Sequence, residues 1–127
     1  MDIIIIVGHG NPDKEASMTS AIAERLHRMI HPGCNRKCVR DAYLQFMKPG
    51  LMEAIRDAAG SGAQRVIIHP FFLSSGFHVG ENIPGIIRSA EDLFPDIEFI
   101  CTAPLGNHEK LAEVVFDMIQ EAIDNKA

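Results

Sequence analysis

The chain has 127 residues, of which 46% are hydrophobic and 23% charged, with a formal net charge of −5. This composition is typical of a globular protein, and the length predicts a single domain over residues 1–127. The acidic balance argues against a general nucleic-acid binder, which normally carries a basic excess. No apolar run approaches transmembrane length, and the apolar start at residues 3–7 is too short for a signal core. We therefore expect a cytoplasmic protein with no membrane partner.

Apolar runs alternate with segments of helical periodicity along the whole chain. The predicted strands are residues 2–7, 39–46, 65–72 and 97–102. The predicted helices are residues 13–30, about 49–60, about 82–93 and 107 onward, the last with one apolar face. Strict alternation predicts an α/β fold, a three-layer domain with a four-stranded parallel sheet and helices on both faces.

Four loops of this predicted fold emerge at the carboxyl edge of the sheet, where open α/β proteins bind their ligands. They are residues 8–12, 47–50, 73–81 and 103–108, and His9, His78 and His108 lie in three of them. His9 is flanked by Gly8 and Gly10, so the backbone can turn sharply and leave the ring accessible. We therefore expect His9 and His78 to meet at this edge.

Two neutral imidazoles at one edge suit a borderline divalent metal such as cobalt, nickel, iron or zinc. Each imidazole could equally accept a proton near neutral pH. The alternative interpretation is that His9 orders its turn and that His78 is a solvated residue at a helix start. Glu81 could assist proton removal, although an acid is also expected there from the helix dipole alone. Gln45, near the end of the second strand, could line the same edge.

Two further pairs have spacings that occur in metal sites. His27 and His31 are four residues apart on one predicted helix, and Cys34 and Cys38 follow in a turn-rich segment. The histidines lack a carboxylate partner, and a protonated histidine at a helix end simply complements the dipole. The cysteines lack the second pair that zinc ribbons need. Together with Cys101 they make an odd number, so we expect no disulfide framework.

Other familiar sites do not fit this sequence. Neither the P-loop nor the dinucleotide-binding glycine pattern occurs at residues 8–10. The His9-Gly10 pair also resembles the histidine phosphatases, but those enzymes have Arg directly before the histidine, where this chain has Gly8. Phosphoryl transfer is therefore the weaker interpretation. His69, inside the third strand, is predicted to be a core histidine with its hydrogen bonds satisfied.

Four segments, taken in order, resemble the small form of the CbiX family, sirohydrochlorin chelatases related to ferrochelatase. They are VGHG at 7–10, AYLQFMKPGLMEAI at 42–55, HPFFLSSGFHVGENIP at 69–84 and APLGNHEKLAEVV at 103–115. The resemblance covers nearly the whole chain. It implies insertion of a divalent metal, most often Co²⁺ and in related members Ni²⁺ or Fe²⁺, into sirohydrochlorin. The metal is then a substrate, and neither ATP nor an organic cofactor is used.

The resemblance also implies roles for individual residues. His9 would be the metal-binding proton acceptor and His78 the second metal ligand. Gln45 falls where the family commonly has a substrate-facing Glu. The loop in contact with the tetrapyrrole would consist of Leu73, Ser74, Ser75, Gly76 and Phe77. A homodimer with the site between its protomers is expected as well.

Three positions depart from the family pattern. Asn11 replaces a Ser, Gln45 a Glu and Asn82 an Asp, and two of these changes remove a carboxylate. The departures leave a second interpretation open, that of a non-catalytic carrier of the metal or the tetrapyrrole. Both interpretations assign the same two histidines to the metal.

Overall fold

The computed structural model describes residues 1–11, 18–73 and 77–126, and for residues 77–81 it describes the backbone alone. Strands and helices alternate as predicted, which confirms the α/β class. The elements, in chain order, are β1 (Asp2–Gly8), α1 (Met18–Ile30), β2 (Val39–Tyr43), α2 (Leu51–Gly60), β3 (Arg65–Pro70), α3 (Phe77–Leu93), β4 (Glu98–Cys101), a 3₁₀ turn (Leu105–Asn107) and α4 (Lys110–Lys126).

The four strands form one parallel sheet in the order β2-β1-β3-β4. From β1 the chain moves outward to β2 and then returns to place β3 on the other side of β1. This reversal makes the carboxyl ends of β1 and β3 the topological switch point, where the loops diverge and leave a crevice. The fold thereby puts the loop after β1 beside the loop after β3.

The larger core lies between one face of the sheet and helices α2 and α3. Ile5 of β1, Ile68 of β3 and Ile55 of α2 are fully buried there. Burying each such side chain contributes about 1.5–3 kcal/mol to stability. On the opposite face, α1 packs Ala23 against Ile6 and Val39, of β1 and β2 respectively. Helices therefore lie on both faces of the sheet, as predicted.

The β3–β4 half of the α1-side face has no helix packed on it among the described elements. Ile67 and His69 of β3 are only half-buried, and Ile100 of β4 is 38% exposed. We call Ile67, His69, Ile100 and the following Thr102 the open half-face. Helix α4 contains no buried residue. Its exposed large apolar side chains are Val114, Val115, Phe116, Met118, Ile119 and Ile123.

Several element boundaries differ from the predictions. β2 ends at Tyr43 rather than at residue 46, because the chain bends over residues 44–49 and Phe46 has a φ of 68°. β3 ends at Pro70 rather than at 72. Helix α3 begins at Phe77, five residues before the predicted start, so Pro84 lies inside it rather than in its first turn. Within the described residues, no helix combines the length and the apolar character needed to cross a bilayer.

Candidate active site

Backbone hydrogen bonds join the loops at the carboxyl edge to one another. Leu44 N–H donates to the Gly8 carbonyl at 3.1 Å, which links the β2 loop to the end of β1. On the other side, Phe71 N–H donates to the Val7 carbonyl at 2.8 Å and extends the β1–β3 pairing. These bonds hold the loop that carries His9 between its two neighbours.

His9 is the first residue after β1 and its side chain is exposed. Its carbonyl accepts a hydrogen bond from Gln45 N–H at 3.1 Å. Its ring packs against the buried ring of Phe72, with centroids 4.0 Å apart and planes inclined at 56°. Among the described residues, nothing hydrogen-bonds the ring nitrogens of His9. The imidazole is thus supported on one side by an apolar ring, and the side chains that the structure describes leave its unprotonated nitrogen accessible to a metal or a proton.

Gly10 fixes the turn that follows His9. It has a φ of +97°, a conformation that L side chains rarely adopt. A Cβ at this position would overlap the carbonyl oxygen of Gln45. The position therefore requires glycine, and the close approach sets the distance between the β1 loop and the β2 loop. It also places Gln45, which is exposed, beside His9 at the edge.

Leu73 extends the edge on the β3 side. Its side chain is 71% exposed. The backbone behind it is held by Gly106, whose N–H donates to the Phe72 carbonyl at 3.1 Å. Gly106 approaches the Leu73 carbonyl so closely that no Cβ fits there. An apolar side chain is therefore presented to solvent from a fixed backbone.

The remaining predicted site residues are described in part or not at all. Ser74, Ser75 and Gly76 lie outside the described residues, as do the side chains of Phe77, His78 and Glu81. The backbone places His78 second in α3, a helix that follows β3 and so starts at the same edge as His9. His78 is therefore a helical residue and not the loop residue that the sequence predicted. The meeting of the two imidazoles stays a prediction.

His69 lies on the open half-face and not in the core, but its ring is hydrogen-bonded, as predicted. Its Nδ1 is 2.7 Å from the hydroxyl oxygen of Thr102, and that hydroxyl donates its proton to the Ala103 carbonyl at 3.0 Å. The hydroxyl therefore accepts from Nδ1–H, which leaves Nε2 without a proton in the neutral ring. Burial lowers the pKa of His69 and favours this neutral form.

His108 lies just before α4 rather than in its first turn. Its Nδ1 accepts a hydrogen bond from Lys110 N–H at 3.1 Å, so the imidazole caps the start of the helix. Together with His69 it lines a cavity of about 320 Å³. This cavity lies next to the β4 loop, and the contacts described here give His108 a structural role.

The sequence model of the CbiX family matches residues 3–122. The chain belongs to the CbiX family. Among its relatives, the chloroplastic sirohydrochlorin ferrochelatase of Arabidopsis thaliana is 33% identical over 98% of this chain and 54% of its own length. The sirohydrochlorin cobaltochelatase of Priestia megaterium is 29% identical, over 98% and 40% respectively. That of Methanosarcina acetivorans is 30% identical, over 94% and 95%.

This CbiX chain thus spans about half the length of the first two relatives and nearly all of the third. Solved structures agree on the fold. A putative cobalamin biosynthesis CbiX protein from Marinobacter aquaeolei VT8 superposes with a TM-score of 0.76 at 22% identity, covering 98% of this chain and 99% of that one. SirB from Bacillus subtilis with Fe³⁺ gives 0.73 at 21% identity, covering 95% and 47%.

One contact at the carboxyl edge of this CbiX chain, the support of the His9 ring by Phe72, has no local signal in the sequence. These residues are far apart along the chain, and they meet because β1 and β3 are neighbours in the sheet. An apolar run alone predicts a strand but not its neighbour. Phe72 was placed inside the third strand, whereas it lies two residues beyond the end of β3, at the level of the His9 loop.

Proposed function

We propose that this CbiX chain inserts a divalent metal, with Co²⁺ as the preferred ion, into sirohydrochlorin. The observation that carries the proposal is the exposed His9 imidazole, seated on Phe72 at the switch point of the sheet. Family membership supports the reaction class, since the curated relatives are named as sirohydrochlorin chelatases. Their names include both cobalt and iron enzymes, and the same imidazole ligands suit Co²⁺, Ni²⁺ and Fe²⁺. No organic cofactor is required.

The reaction exchanges two protons for one metal ion. The free macrocycle carries two pyrrolic N–H groups, so M²⁺ enters as two protons leave and the total charge is conserved. His9 first holds M²⁺ through a ring nitrogen, with His78 as the second ligand. Because only two protein ligands bind the ion, positions stay open for the incoming pyrrole nitrogens. After the metal has passed to the macrocycle, the free imidazole of His9 accepts one of the displaced protons.

The side chains beside His9 determine which groups at the carboxyl edge can transfer protons and which can bind the macrocycle. Gln45 is a neutral amide and cannot take up a proton, so proton transfer rests on the histidines, with Glu81 available beside His78. Leu73 and the other residues up to Phe77 supply the surface on which the macrocycle lies. The buried ring of Phe72 limits how far the His9 imidazole can tilt. The side chain that delivers the metal is therefore positioned before the substrate arrives.

A second copy of the chain completes the proposed site. A flat macrocycle needs a wide cleft, and one four-stranded sheet offers only one wall. Helix α4 exposes an apolar face, and the open half-face is partly apolar. In a twofold dimer, each α4 covers apolar surface of the other copy, so that the apolar face of α4 and the open half-face are both buried. Such an interface is self-complementary. Since α4 begins at the carboxyl edge, the partner then lies beside His9.

The test is anaerobic mixing of sirohydrochlorin with Co²⁺, Ni²⁺ or Fe²⁺, with and without the chain, followed by the absorption change on metal insertion. We expect at least a tenfold acceleration over the protein-free reaction with Co²⁺, and a smaller one with the other two ions. A protein-free rate with every ion would contradict the proposal. If the chain then bound the macrocycle tightly, and Gln45→Glu restored insertion, the carrier interpretation would replace it.

A further inference from the structure

Four side chains with metal-binding atoms converge at the end of α1 and in the connection to β2. His27 lies in the last turn of α1, His31 follows the helix, and Cys34 and Cys38 lie in the connection. One nitrogen or sulfur atom from each lies within 4.8 Å of every other. Along the sequence they form two separate pairs, but the fold makes them one cluster.

The cluster is far from the candidate active site. Cys38 directly precedes β2, whose first residue, Val39, is in register with Ile4 of β1. His9 comes five residues after Ile4 along β1. At about 3.3 Å per residue, these five residues correspond to about 17 Å along the sheet. The cluster is therefore at the amino edge, and the metal-delivery chemistry proposed for His9 does not use it.

The dimensions of the cluster fit a tetrahedral metal site. Zinc binds sulfur at about 2.3 Å and imidazole nitrogen at about 2.0–2.1 Å, so neighbouring ligand atoms in a tetrahedron are about 3.3–3.8 Å apart. Side-chain rotations that contract the cluster by about 1 Å would meet this geometry. The His-x3-His and Cys-x3-Cys spacings both fall within the ranges that structural zinc sites use.

Two observations at the cluster support a bound cation. Nε2 of His27 is buried without a hydrogen-bond partner, an arrangement that proteins avoid unless another ligand completes it. The sulfur of Cys34 accepts a hydrogen bond from the Arg36 backbone N–H, with nitrogen and sulfur 3.3 Å apart, and the Cys34 thiol donates to the Arg36 carbonyl at 3.7 Å. Backbone N–H donors of this kind stabilise a thiolate, the form in which cysteine binds metals.

We propose that His27, His31, Cys34 and Cys38 bind one structural zinc ion. The mixed sulfur and nitrogen set selects zinc over the hard cations, which prefer oxygen ligands. Each thiol gives up its proton to solvent as Zn²⁺ binds, so two protons leave and the bound unit is neutral. Four protein ligands complete the coordination and leave no open position for substrate. The ion would tie the end of α1 to the start of β2.

The zinc content of purified variants tests this assignment. The chain is purified under a reducing agent and without chelators, and its zinc is measured by elemental analysis. We expect about one zinc ion per chain in the wild type, in His9→Ala and in the matched thiol control Cys101→Ser, whose cysteine is outside the cluster. The double variant Cys34→Ser/Cys38→Ser should lose at least nine-tenths of the zinc.

Replacement of zinc by Co²⁺ in the wild-type chain gives a test that does not depend on how the variants fold. Tetrahedral Co²⁺ with two thiolates should show intense visible bands and a sulfur-to-metal charge-transfer band. Cobalt bound only at His9 would lack the charge-transfer band. Zinc that disappears in His9→Ala but stays in the double cysteine variant would overturn the proposal. So would a native Cys34–Cys38 disulfide, detected by mass, or failure of the reduced wild-type chain to take up either metal.

Discussion

Gly10 shows how one residue determines where the proposed catalytic histidine lies. Its φ of +97° and its contact with Gln45 leave no room for a side chain. We expect Gly10→Ala to lower the free energy of unfolding by about 1–3 kcal/mol, since the strained backbone or the loop must move. Denaturant unfolding measures the loss. Gly60→Ala is the matched control, because a Cβ meets nothing within 4 Å there, and it should change stability by less than about 1 kcal/mol.

His69 gives the fold a dependence on pH. Burial lowers its pKa from the ordinary value of 6.5, so below that value the unfolded chain takes up a proton that the folded chain resists. The contribution of His69 to stability is therefore fully present above about pH 6.5 and decreases as the pH falls through the lowered pKa of the folded state. We expect His69→Gln to reduce this acid-side decrease. The measurement compares denaturant midpoints of the two proteins at several pH values, with about pH 8 as reference. Parallel curves would contradict the expectation.

At the scale of single residues, the sequence predicted those features that depend only on residues adjacent along the chain. Glycines on both sides of His9, after an apolar run, were enough to predict an accessible ring at a strand end, and the ring is exposed. The support from Phe72 depends on strand order and left no local signal. The cluster of His27, His31, Cys34 and Cys38 was not predicted, for a different reason. The spacing of each pair is visible in the sequence, whereas the meeting of the two pairs depends on how the chain returns from α1 to β2.

At the scale of elements, types were predicted more reliably than ends. Strand β2 was extended to residue 46 because its apolar pattern continues beyond Tyr43, where the chain in fact bends. The predicted third helix begins at about residue 82, which would put Pro84 in its first turn, where proline is favoured. In the structure Pro84 lies in the interior of α3, and the buried side chains of Ile83 and Ala90 pack this helix against the sheet. Packing thus outweighs the positional preference of one residue.

Helix α4 carries a prediction about assembly. Its apolar face would remain in water in an isolated chain, which proteins normally avoid for a patch of this kind. We expect Val115→Glu/Ile119→Glu to shift the chain from dimer to monomer, measured by sedimentation or light scattering. Gln120→Glu is the matched control, since it adds a negative charge about 100° around the same helix from Ile119, and it should stay dimeric. A wild-type chain that is monomeric at all concentrations tested would rule out the proposed pairing.

At the scale of the whole molecule, strict alternation of strands and helices predicted a parallel sheet, and that is what forms. The strand order β2-β1-β3-β4 could not be deduced from alternation, because the periodicity of an apolar run does not identify its neighbours. That order positions the proposed site. It makes β1 and β3 adjacent at the switch point, so the loops that carry His9 and lead to His78 emerge side by side.

The two proposed metal sites use opposite edges of the sheet and serve different purposes. The carboxyl edge presents an exposed imidazole that can bind and release an ion. The amino edge gathers two imidazoles and two thiols from one continuous connection, a set suited to retaining an ion. Removal of the second set should therefore reduce stability more than turnover per folded molecule. The ratio of insertion rate to folded fraction in Cys34→Ser/Cys38→Ser measures this, and it should stay within about threefold of the wild type.

The most direct measurement is the rate at which His9→Ala inserts Co²⁺ into sirohydrochlorin under saturating substrate. Loss of a ligand that is also a proton acceptor should lower kcat by about 100-fold or more. The exposed position predicts little loss of stability, and free imidazole added to the buffer should restore part of the rate. A correctly folded His9→Ala that inserts cobalt at the wild-type rate would contradict the account.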